Sequence, residues 1–335
     1  MKSHKALLLT FLFLYLVITL MPAAVWVCQN PATGESPSPA PSPTAAPSPS
    51  PAPTTATPQT FTLQDRATGE TLTVSEREFL MGTLACEMDL QSPAESLKAQ
   101  TVAAYTYYAY QRMYNVPIEC DTSNWLVYVP ETAMRARWGE NYDAHATVLA
   151  GVVDAVLGQT LTYQGELALT SYFAISPGST EAAAHVWAPD AGEEHPYLQA
   201  VASPGDAFSD GYLSTADFSL EEFREAALEI AGEGLDGPVE DWLTDVTYTP
   251  SHMVKSALLG GTTVTGTQLR AAFGLRSASF TVALDEEGFH FTVRGWGHGV
   301  GMSQAGAVFL AKRGANYQEI LAHYYPGTQL VLPGS

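Results

Sequence analysis

RGWGHGVGMSQAGA, residues 294–307, is the most distinctive stretch of this sequence. It lies between a predicted hairpin, residues 277–284 and 289–294, and a predicted helix, residues 302–312. A glycine-rich run in this place suggests a phosphate cradle, but no lysine follows the glycines and no G-x-G-x-x-G phase fits, so nucleotide binding is not indicated. The glycines instead allow the backbone to approach a ligand or to fold tightly around His298. The alternative is that His298 is a buried, hydrogen-bonded structural residue.

The segments before this stretch mix helical and extended patterns without a regular βαβ alternation. They predict an α+β fold with mixed helices and an antiparallel-rich sheet in one compact, two-lobed unit. Predicted strands span residues 61–63, 125–129, 159–163 and 168–175, and predicted helices span residues 76–88, 93–113, 142–157 and 220–230. Capping boxes, in which Ser and a Glu three residues later satisfy each other's backbone donors, are predicted at Ser75 and Glu78, Ser92 and Glu95, and Ser219 and Glu222.

Residues 1–28 have the pattern of an N-terminal membrane anchor. The run 6–27 is uncharged, and as a helix its 22 residues would extend about 33 Å, enough to cross the hydrocarbon core of a bilayer. Lys2 and Lys5 precede the run, so the positive-inside rule places the N-terminus in the cytoplasm and everything after Cys28 outside the cell membrane. A cleaved signal peptide is the alternative, and a lipoprotein anchored at Cys28 fits less well. Each of these alternatives exports the rest of the chain.

Residues 29–60 predict a disordered linker, because they cannot bury a core. Ten of the thirty residues from 31 to 60 are proline, and most of the others are Ser, Ala or Thr. Such a segment forms an extended spacer with partial polyproline-II character.

Residues 61–335 have globular composition and are strongly acidic. They hold 13 of the 15 basic residues and 34 of the 35 acidic ones, since only Lys2, Lys5 and Glu35 precede them, which gives a net charge of −21. This charge argues against nucleic acid, anionic lipid or an anionic polymer as a direct partner. A neutral substrate fits better, although an acidic surface is also compatible with simple solvation. The sequence predicts no cofactor.

The three cysteines do not form a disulfide framework. Cys28 lies at the predicted membrane edge. Cys86 and Cys120 are compatible either with a disulfide or with two apolar thiols.

Glu87 is the carboxylate best placed for acid–base chemistry. It lies near the predicted end of the first helix among Leu84, Cys86 and Met88. Apolar surroundings and the negative end of a helix dipole both raise the pKa of a carboxyl group. A raised pKa is what a general acid needs near neutral pH. The alternative is an ordinary surface carboxylate at a helix end.

Three segments resemble the stage II sporulation protein D family, which also includes amidase-enhancer-like wall proteins. The first joins GTLACEM, residues 82–88, to ESLKAQTVAAYTY, residues 95–107. The second begins with YFAISPGSTE, residues 172–181, and continues to residue 204. The third is the stretch 294–307, a nearly complete match. The resemblance as a whole extends beyond these three segments and spans about residues 63–330.

The resemblance implies an exported lytic transglycosylase. Such enzymes cut peptidoglycan glycan strands that have lost their stem peptides and leave 1,6-anhydro-N-acetylmuramic acid ends. The family's catalytic glutamate matches Glu87. The resemblance also implies sugar-binding or Glu87-orienting roles for Lys98, Ser176, Arg294, His298 and Gln304.

Three departures from the family pattern put full activity in question. Many relatives carry a CDxxHC-like segment with zinc-ligand character, but here the segment reads CDTSNW, residues 120–125, and Cys120 alone is retained, so no metal site is predicted. A family histidine is replaced by Ala174, and a family arginine by Tyr105. The alternative function is therefore a non-catalytic glycan-binding module, or an enhancer of an N-acetylmuramoyl-L-alanine amidase.

Overall fold

The computed structural model describes residues 60–187, 191–232 and 234–333. The predicted anchor, residues 1–28, and all but the last residue of the predicted linker lie outside these ranges. Within the described ranges, no helix combines the length and the apolar character needed to span a bilayer.

Helices and strands alternate irregularly along the described residues, which confirms the predicted α+β class. The helices are α1 (Glu76–Glu87), α2 (Ala94–Met113), α3 (Glu131–Trp138), α4 (Tyr142–Val156), α5 (Ala183–Val186), α6 (Ala191–Glu194), α7 (Leu220–Ala231), α8 (Gly266–Ala272), α9 (Gln304–Lys312) and α10 (Tyr317–Tyr324). The strands are β1 (Thr60–Asp65), β2 (Thr71–Ser75), β3 (Ile118–Cys120), β4 (Thr160–Tyr163), β5 (Glu166–Leu167), β6 (Tyr172–Phe173), β7 (Leu213–Phe218), β8 (Leu243–Tyr248), β9 (Val254–Leu259), β10 (Thr262–Thr265), β11 (Phe280–Leu284), β12 (Phe289–Arg294), β13 (Met302–Ser303) and β14 (Gln329–Val331).

The strands form several small sheets, most of them antiparallel. Three three-stranded sheets have the orders β11-β12-β7, β10-β9-β8 and β14-β4-β5, with antiparallel pairing throughout. A further sheet has the order β2-β1-β3, in which β1 and β3 are parallel. The two-residue strands β6 and β13 also pair in parallel, and this short pairing joins residues 172–173 to the glycine-rich stretch.

Helix α2 is the central element of the fold, because its buried residues contribute to two hydrophobic clusters. Leu97 and Tyr108 pack into the first cluster with β1, α1 and α4. Val102 and Ala103 pack into the second cluster with α9, α10 and β4. A third cluster lies between the β7–β12 sheets and helices α7 and α8. The end of α1 and the glycine-rich stretch after β12 are therefore both fixed against the α2 core.

Two of the three predicted capping boxes are confirmed. Ser75 and Ser219 each accept a hydrogen bond from the backbone N–H three residues later, and the Glu at that position accepts one in return. The prediction at Ser92 and Glu95 is wrong. Pro93 is the N-cap of α2 and no side chain caps the helix. The Glu95 carboxylate instead accepts hydrogen bonds from Lys98 and from the Tyr317 backbone.

Two predicted strands are wrong or shortened. Residues 125–129 do not form a strand, because Trp125 and Val127 have φ angles of 56° and 70°, which interrupt extended backbone. In the predicted strand 168–175 the structure has only the two residues of β6, and the predicted helix 302–312 begins at Gln304 after β13.

Candidate active site

Glu87 is the last residue of α1, and its carboxylate meets the glycine-rich stretch. Gln304 Nε2 donates a hydrogen bond to Glu87 Oε2 at 3.0 Å. The Tyr172 hydroxyl lies 3.5 Å from Glu87 Oε1 and donates a longer hydrogen bond to it. Glu87, Tyr172 and Gln304 are half-buried residues.

The pKa of Glu87 is raised above the usual carboxyl range. Burial among protein atoms is the largest cause, and the hydrogen bonds from Gln304 and Tyr172 oppose it by stabilising the charged form. Within the described residues, no second carboxylate and no cation is among the groups that set this pKa. The raised pKa agrees with the direction expected from the sequence, and it favours a protonated fraction near neutral pH.

His298 holds the glycine-rich stretch in place through its ring nitrogens. Its Nδ1 accepts a hydrogen bond from the Val300 N–H at 3.1 Å, and its Nε2 lies 3.1 Å from the Tyr172 carbonyl oxygen, to which it donates. These two bonds define the neutral tautomer that carries a proton on Nε2. Burial, the largest cause, lowers the pKa of His298 to about 4. The contacts match the structural role that the sequence left open, and they place the imidazole behind Tyr172.

The alternating glycines of the stretch are required by close packing on residues 171–176. Gly301 has a φ of 81°, and a Cβ there would lie 2.0 Å from the Ser171 carbonyl oxygen. At Gly297, with a φ of 121°, a Cβ would lie 2.6 Å from the Phe173 Cβ. Side chains are excluded at both positions by conformation and by space. The glycines thus let two backbones approach each other and bring Gln304 to Glu87.

Gln304 is also held by a buried network below its helix. Ser303 caps α9 by accepting a hydrogen bond from the Gly306 N–H at 3.2 Å. The Ser303 hydroxyl in turn donates to Asp206 Oδ2 at 2.6 Å, and Ser203 donates to Asp206 Oδ1 at 2.9 Å. Asp206 is fully buried, and burial raises its pKa.

Ser176 belongs to this network rather than to the exposed site. Its backbone N–H donates to Asp206 Oδ2 at 2.6 Å, and its hydroxyl accepts a hydrogen bond from the Gly178 N–H. Ser176 is fully buried, so direct contact of its side chain with a sugar finds no support.

Lys98 and Arg294 have no contact with Glu87. Lys98 lies on α2, where it forms an ion pair with Glu95 at 2.7 Å. Arg294 ends β12, and its carbonyl oxygen accepts a hydrogen bond from the Ser277 hydroxyl at 2.5 Å. Of the residues singled out from the sequence, Glu87, Gln304 and His298 gather around Tyr172, whereas Lys98, Ser176 and Arg294 have other partners.

The residues around Cys120 do not fit a zinc ion. Across residues 60–187, 191–232 and 234–333, no group of three or more His, Cys, Asp or Glu side chains is arranged to hold a metal. Cys86 and Cys120 are free, which decides between the two alternatives left open for them. Asp121 folds the following residues into a turn by accepting hydrogen bonds from the backbone and side chains of Ser123 and Asn124 at 2.7–3.1 Å.

Sequence reasoning did not assign a role to Tyr172 or Asp206. Tyr172 is the first residue of the second segment that resembles the family, and this position was the sequence signal that could have identified it. Asp206 lies in a short 3-10 helix, Pro204–Phe208, and its role depends on Ser203 three residues before it and on the distant Ser176 and Ser303, which only the folded chain brings to it.

The fold and this arrangement define a family, which the comparisons with known proteins identify. A model of the stage II sporulation protein family matches residues 64–163. The chain is 33% identical over 261 residues to stage II sporulation protein D of Bacillus subtilis strain 168, covering 76% of this chain and 73% of that protein. It therefore belongs to the stage II sporulation protein D family, and the resemblance found in the sequence is confirmed.

Two other relatives extend the comparison. Stage II sporulation protein D of Bacillus amyloliquefaciens is also 33% identical over 261 residues, covering 76% of this chain and 73% of that protein. The amidase enhancer of Bacillus subtilis strain 168 is 28% identical over 301 residues, which cover 75% of this chain but only 40% of that protein.

Proposed function

We propose that this protein is an exported lytic transglycosylase that cleaves the bond between N-acetylmuramic acid and N-acetylglucosamine in peptidoglycan strands without stem peptides. The observation that carries the proposal is the Glu87 carboxyl group. Its pKa is raised by burial, Gln304 and Tyr172 orient its two oxygens, and the residue as a whole is half-buried. Membership of the stage II sporulation protein D family supports a role in the sporulation cell wall.

In the first step, the protonated Glu87 would donate its proton to the glycosidic oxygen as that bond breaks. Gln304 donates to Oε2, so Oε1, on the side of Tyr172, is the oxygen better placed to carry the proton to the substrate. The resulting carboxylate keeps the hydrogen bond from Gln304, which stabilises its charge.

In the second step, the Glu87 carboxylate would take the proton from the 6-hydroxyl of the muramic acid residue. That oxygen then closes the 1,6-anhydro ring, and the carboxyl group regains its proton. A glycosidase that uses water needs two carboxylates, whereas this reaction needs one. The lack of a second carboxylate among the described groups that set the pKa of Glu87 suits this chemistry.

The predicted N-terminal segments would place this reaction at the outer face of the cell membrane. An anchor at residues 1–28 and a linker at residues 29–60 would tether the enzymatic unit to the membrane, with an extended reach of about 90 Å for thirty residues. The expected partners are glycan strands, with an amidase and membrane proteins of the wall-remodelling machinery.

The test is the appearance of 1,6-anhydro ends, measured by mass spectrometry, when the full-length protein is incubated with purified strands that lack stem peptides. Glu87→Gln removes the transferable proton while keeping the shape of the side chain, so we expect the ends to disappear. The exposed Glu140→Gln is the matched control and should retain them. Binding of strands by the native protein with no anhydro ends would refute the proposal, and full activity of Glu87→Gln would remove Glu87 from its role.

A second function, enhancement of an amidase, is favoured by the match to the amidase enhancer. The loss of the family histidine and arginine at Ala174 and Tyr105 points the same way; the Tyr105 hydroxyl now donates to Glu76 at 2.5 Å. This function predicts that Glu87→Gln still accelerates release of stem peptides by an added N-acetylmuramoyl-L-alanine amidase. If the native protein changes neither amidase rate nor strand ends, both functions are wrong.

A further inference from the structure

A pocket beside Glu87 is not used by the mechanism above. Its volume is about 230 Å³, and it opens to solvent. Its principal lining residues are Cys86, Met88, Trp125, Arg137, Trp138 and His145. Cys86 and Met88 are the chain neighbours of Glu87, whose own carboxylate contacts Gln304 and Tyr172 and does not line the pocket.

The walls of the pocket carry two indole rings and one arginine, together with the carboxylate of Asp89. The Trp125 and Trp138 rings pack edge to face with centroids 5.7 Å apart, and His145 packs against Trp138 at 4.8 Å. The Arg137 guanidinium lies 4.2 Å from the centroid of the Trp125 ring. Indole faces and a planar cation form a surface that suits a sugar ring carrying an acidic substituent.

Arg137 differs from its neighbour on the same helix. Arg135 is neutralised by Glu131 at 2.7 Å. Arg137 is exposed and forms no ion pair with any carboxylate in the part of the chain that the structure describes. In a globular unit with a net charge of −21, the guanidinium of Arg137 is thus a positive group that no carboxylate of the described residues neutralises.

His145 supplies a second polar atom without a partner. Its Nδ1 is shielded from water and makes no hydrogen bond within the described residues. A buried polar atom without a partner costs stability.

We propose that this pocket binds the free lactyl carboxylate of an N-acetylmuramic acid residue next to the bond that is cut, with Arg137 pairing with the carboxylate and Trp125 and Trp138 packing against the sugar. The inference rests on the proposed function for the identity of the strand. The pocket is smaller than the roughly 300–1,000 Å³ of sites for drug-sized ligands, which suits one sugar unit. Planar guanidinium groups bind carboxylates through two parallel hydrogen bonds.

The positive charge of Arg137 would let the pocket distinguish strands without stem peptides from strands that carry them. When a stem peptide is attached, the lactyl carboxyl group is an amide and carries no charge, so Arg137 loses its partner. Asp89 also lines the pocket and would repel the carboxylate. Its Oδ1 accepts a hydrogen bond from the Gln91 N–H at 3.0 Å, and an asparagine at this position can preserve that bond.

The test measures binding by calorimetry in the full-length Glu87→Gln protein, so that no strand is cut. The ligands are a muramic-acid-containing strand without stem peptides and a chitooligosaccharide of equal length, which lacks the lactyl group. We expect the first to bind about tenfold more tightly, in line with one charge-assisted pair. Adding Arg137→Gln should abolish this difference, Arg135→Gln should leave it intact, and Asp89→Asn should increase it.

The proposed binding site and the proposed function can fail independently of each other. An unchanged difference after Arg137→Gln, with Asp89→Asn also without effect, overturns the site even when the native protein produces anhydro ends. An Arg137-dependent difference supports the site even when the native protein produces none. Since Arg137 and Asp89 are exposed, the variants should fold, and equal melting temperatures check this.

Discussion

Two loops near the end of α1 hold their shapes by different means. The glycine loop, residues 295–303, lies against residues 171–176 through backbone contacts that leave no room for side chains at Gly297 or Gly301. The aspartate loop, residues 120–125, is held by two carboxylates. Asp121 accepts four hydrogen bonds from Ser123 and Asn124, and Asp65 accepts two from Thr122. Close packing that excludes side chains at Gly297 and Gly301 shapes the first loop, whereas hydrogen bonds to carboxylates shape the second.

The difference shows which part of the site tolerates change. The glycine loop carries Gln304 to Glu87, and its packing admits few alternatives. The aspartate loop stands where many relatives carry zinc-ligand character, and hydrogen bonds to Asp121 organise it here. Trp125, at the end of this loop, lines the pocket proposed for the muramic acid carboxylate. We infer that the chemistry depends on the first loop and that substrate preference depends on the second.

The largest effect is expected for Gly301→Ala in the glycine loop. The new Cβ would lie 2.0 Å from a backbone oxygen, at a φ of 81° that disfavours alanine, so we expect the free energy of unfolding to fall by about 3–5 kcal/mol. Urea denaturation measures this loss. Gly69→Ala is the matched control, because Gly69 has a φ of 75° but no atom within 4 Å of the added Cβ. That change should cost about 1 kcal/mol. Equal losses in the two variants would contradict the packing argument.

The same contrast explains how much of the molecule the sequence predicts. The stretch 294–307 is so distinctive that its family, the hairpin before it and the helix after it follow from residue types alone. The place of Glu87 at the end of a helix and the upward direction of its pKa shift also follow from its neighbours in the sequence. The capping boxes at Ser75 and Ser219 are local and were predicted correctly, because both partners lie within one helical turn.

What the sequence does not predict depends on contacts between distant residues. Glu95 has the position expected in a capping box. Its carboxylate instead accepts hydrogen bonds from Lys98 and from the backbone N–H of Tyr317, 222 residues later. Residues 125–129 have the composition of a strand, yet the aspartate loop turns them into irregular backbone. Ser176 lies in a matched motif, and only the position of Asp206 shows that it is buried in a network.

The second prediction, for a smaller effect, concerns Gln304, which the glycine loop places against Glu87. Gln304→Ala removes the hydrogen bond to Glu87 Oε2, and we expect formation of anhydro ends to slow by about tenfold or more. That bond lowers the pKa of Glu87, so its loss raises this pKa further and moves the alkaline limb of the pH–rate profile to higher pH. The exposed Gln318→Ala is the control. If the rate falls but the alkaline limb of the pH–rate profile does not move, Gln304 affects only the folded structure and not the pKa of Glu87.

The third prediction tests the aspartate loop. Asp121→Ala removes the acceptor of the turn and should cost about 1–2 kcal/mol, whereas Asp121→Asn keeps Oδ1 and should cost less. Burial raises the pKa of Asp121, but the hydrogen bonds together outweigh it and lower this pKa. The contribution of the carboxylate is therefore present above the ordinary carboxyl pKa and is lost as the pH falls through the folded-state value. Denaturation at pH 7 and pH 3 measures the loss.

A zinc titration sharpens the same comparison. If hydrogen bonds to Asp121 organise the aspartate loop without a metal, zinc or a chelator should leave the melting temperature of the native protein unchanged. A rise of several degrees with stoichiometric zinc would show that the loop binds metal after all.

The smallest effect is expected at His290, which lies outside both loops and serves as a reference for them. Its Nδ1 lies 2.8 Å from Asp217 on the neighbouring strand and its Nε2 lies 2.9 Å from Asp285 at the hairpin turn. The hydrogen bond with Asp217, and then that with Asp285, raises the pKa of His290. The stabilisation is therefore complete below the unfolded value of about 6.5 and is lost as the pH rises through the raised folded value. The melting temperature of His290→Gln should fall below that of the native protein at pH 5.5, and the two should converge at pH 9. A gap that widens with pH would show that the two carboxylates do not act on the imidazolium.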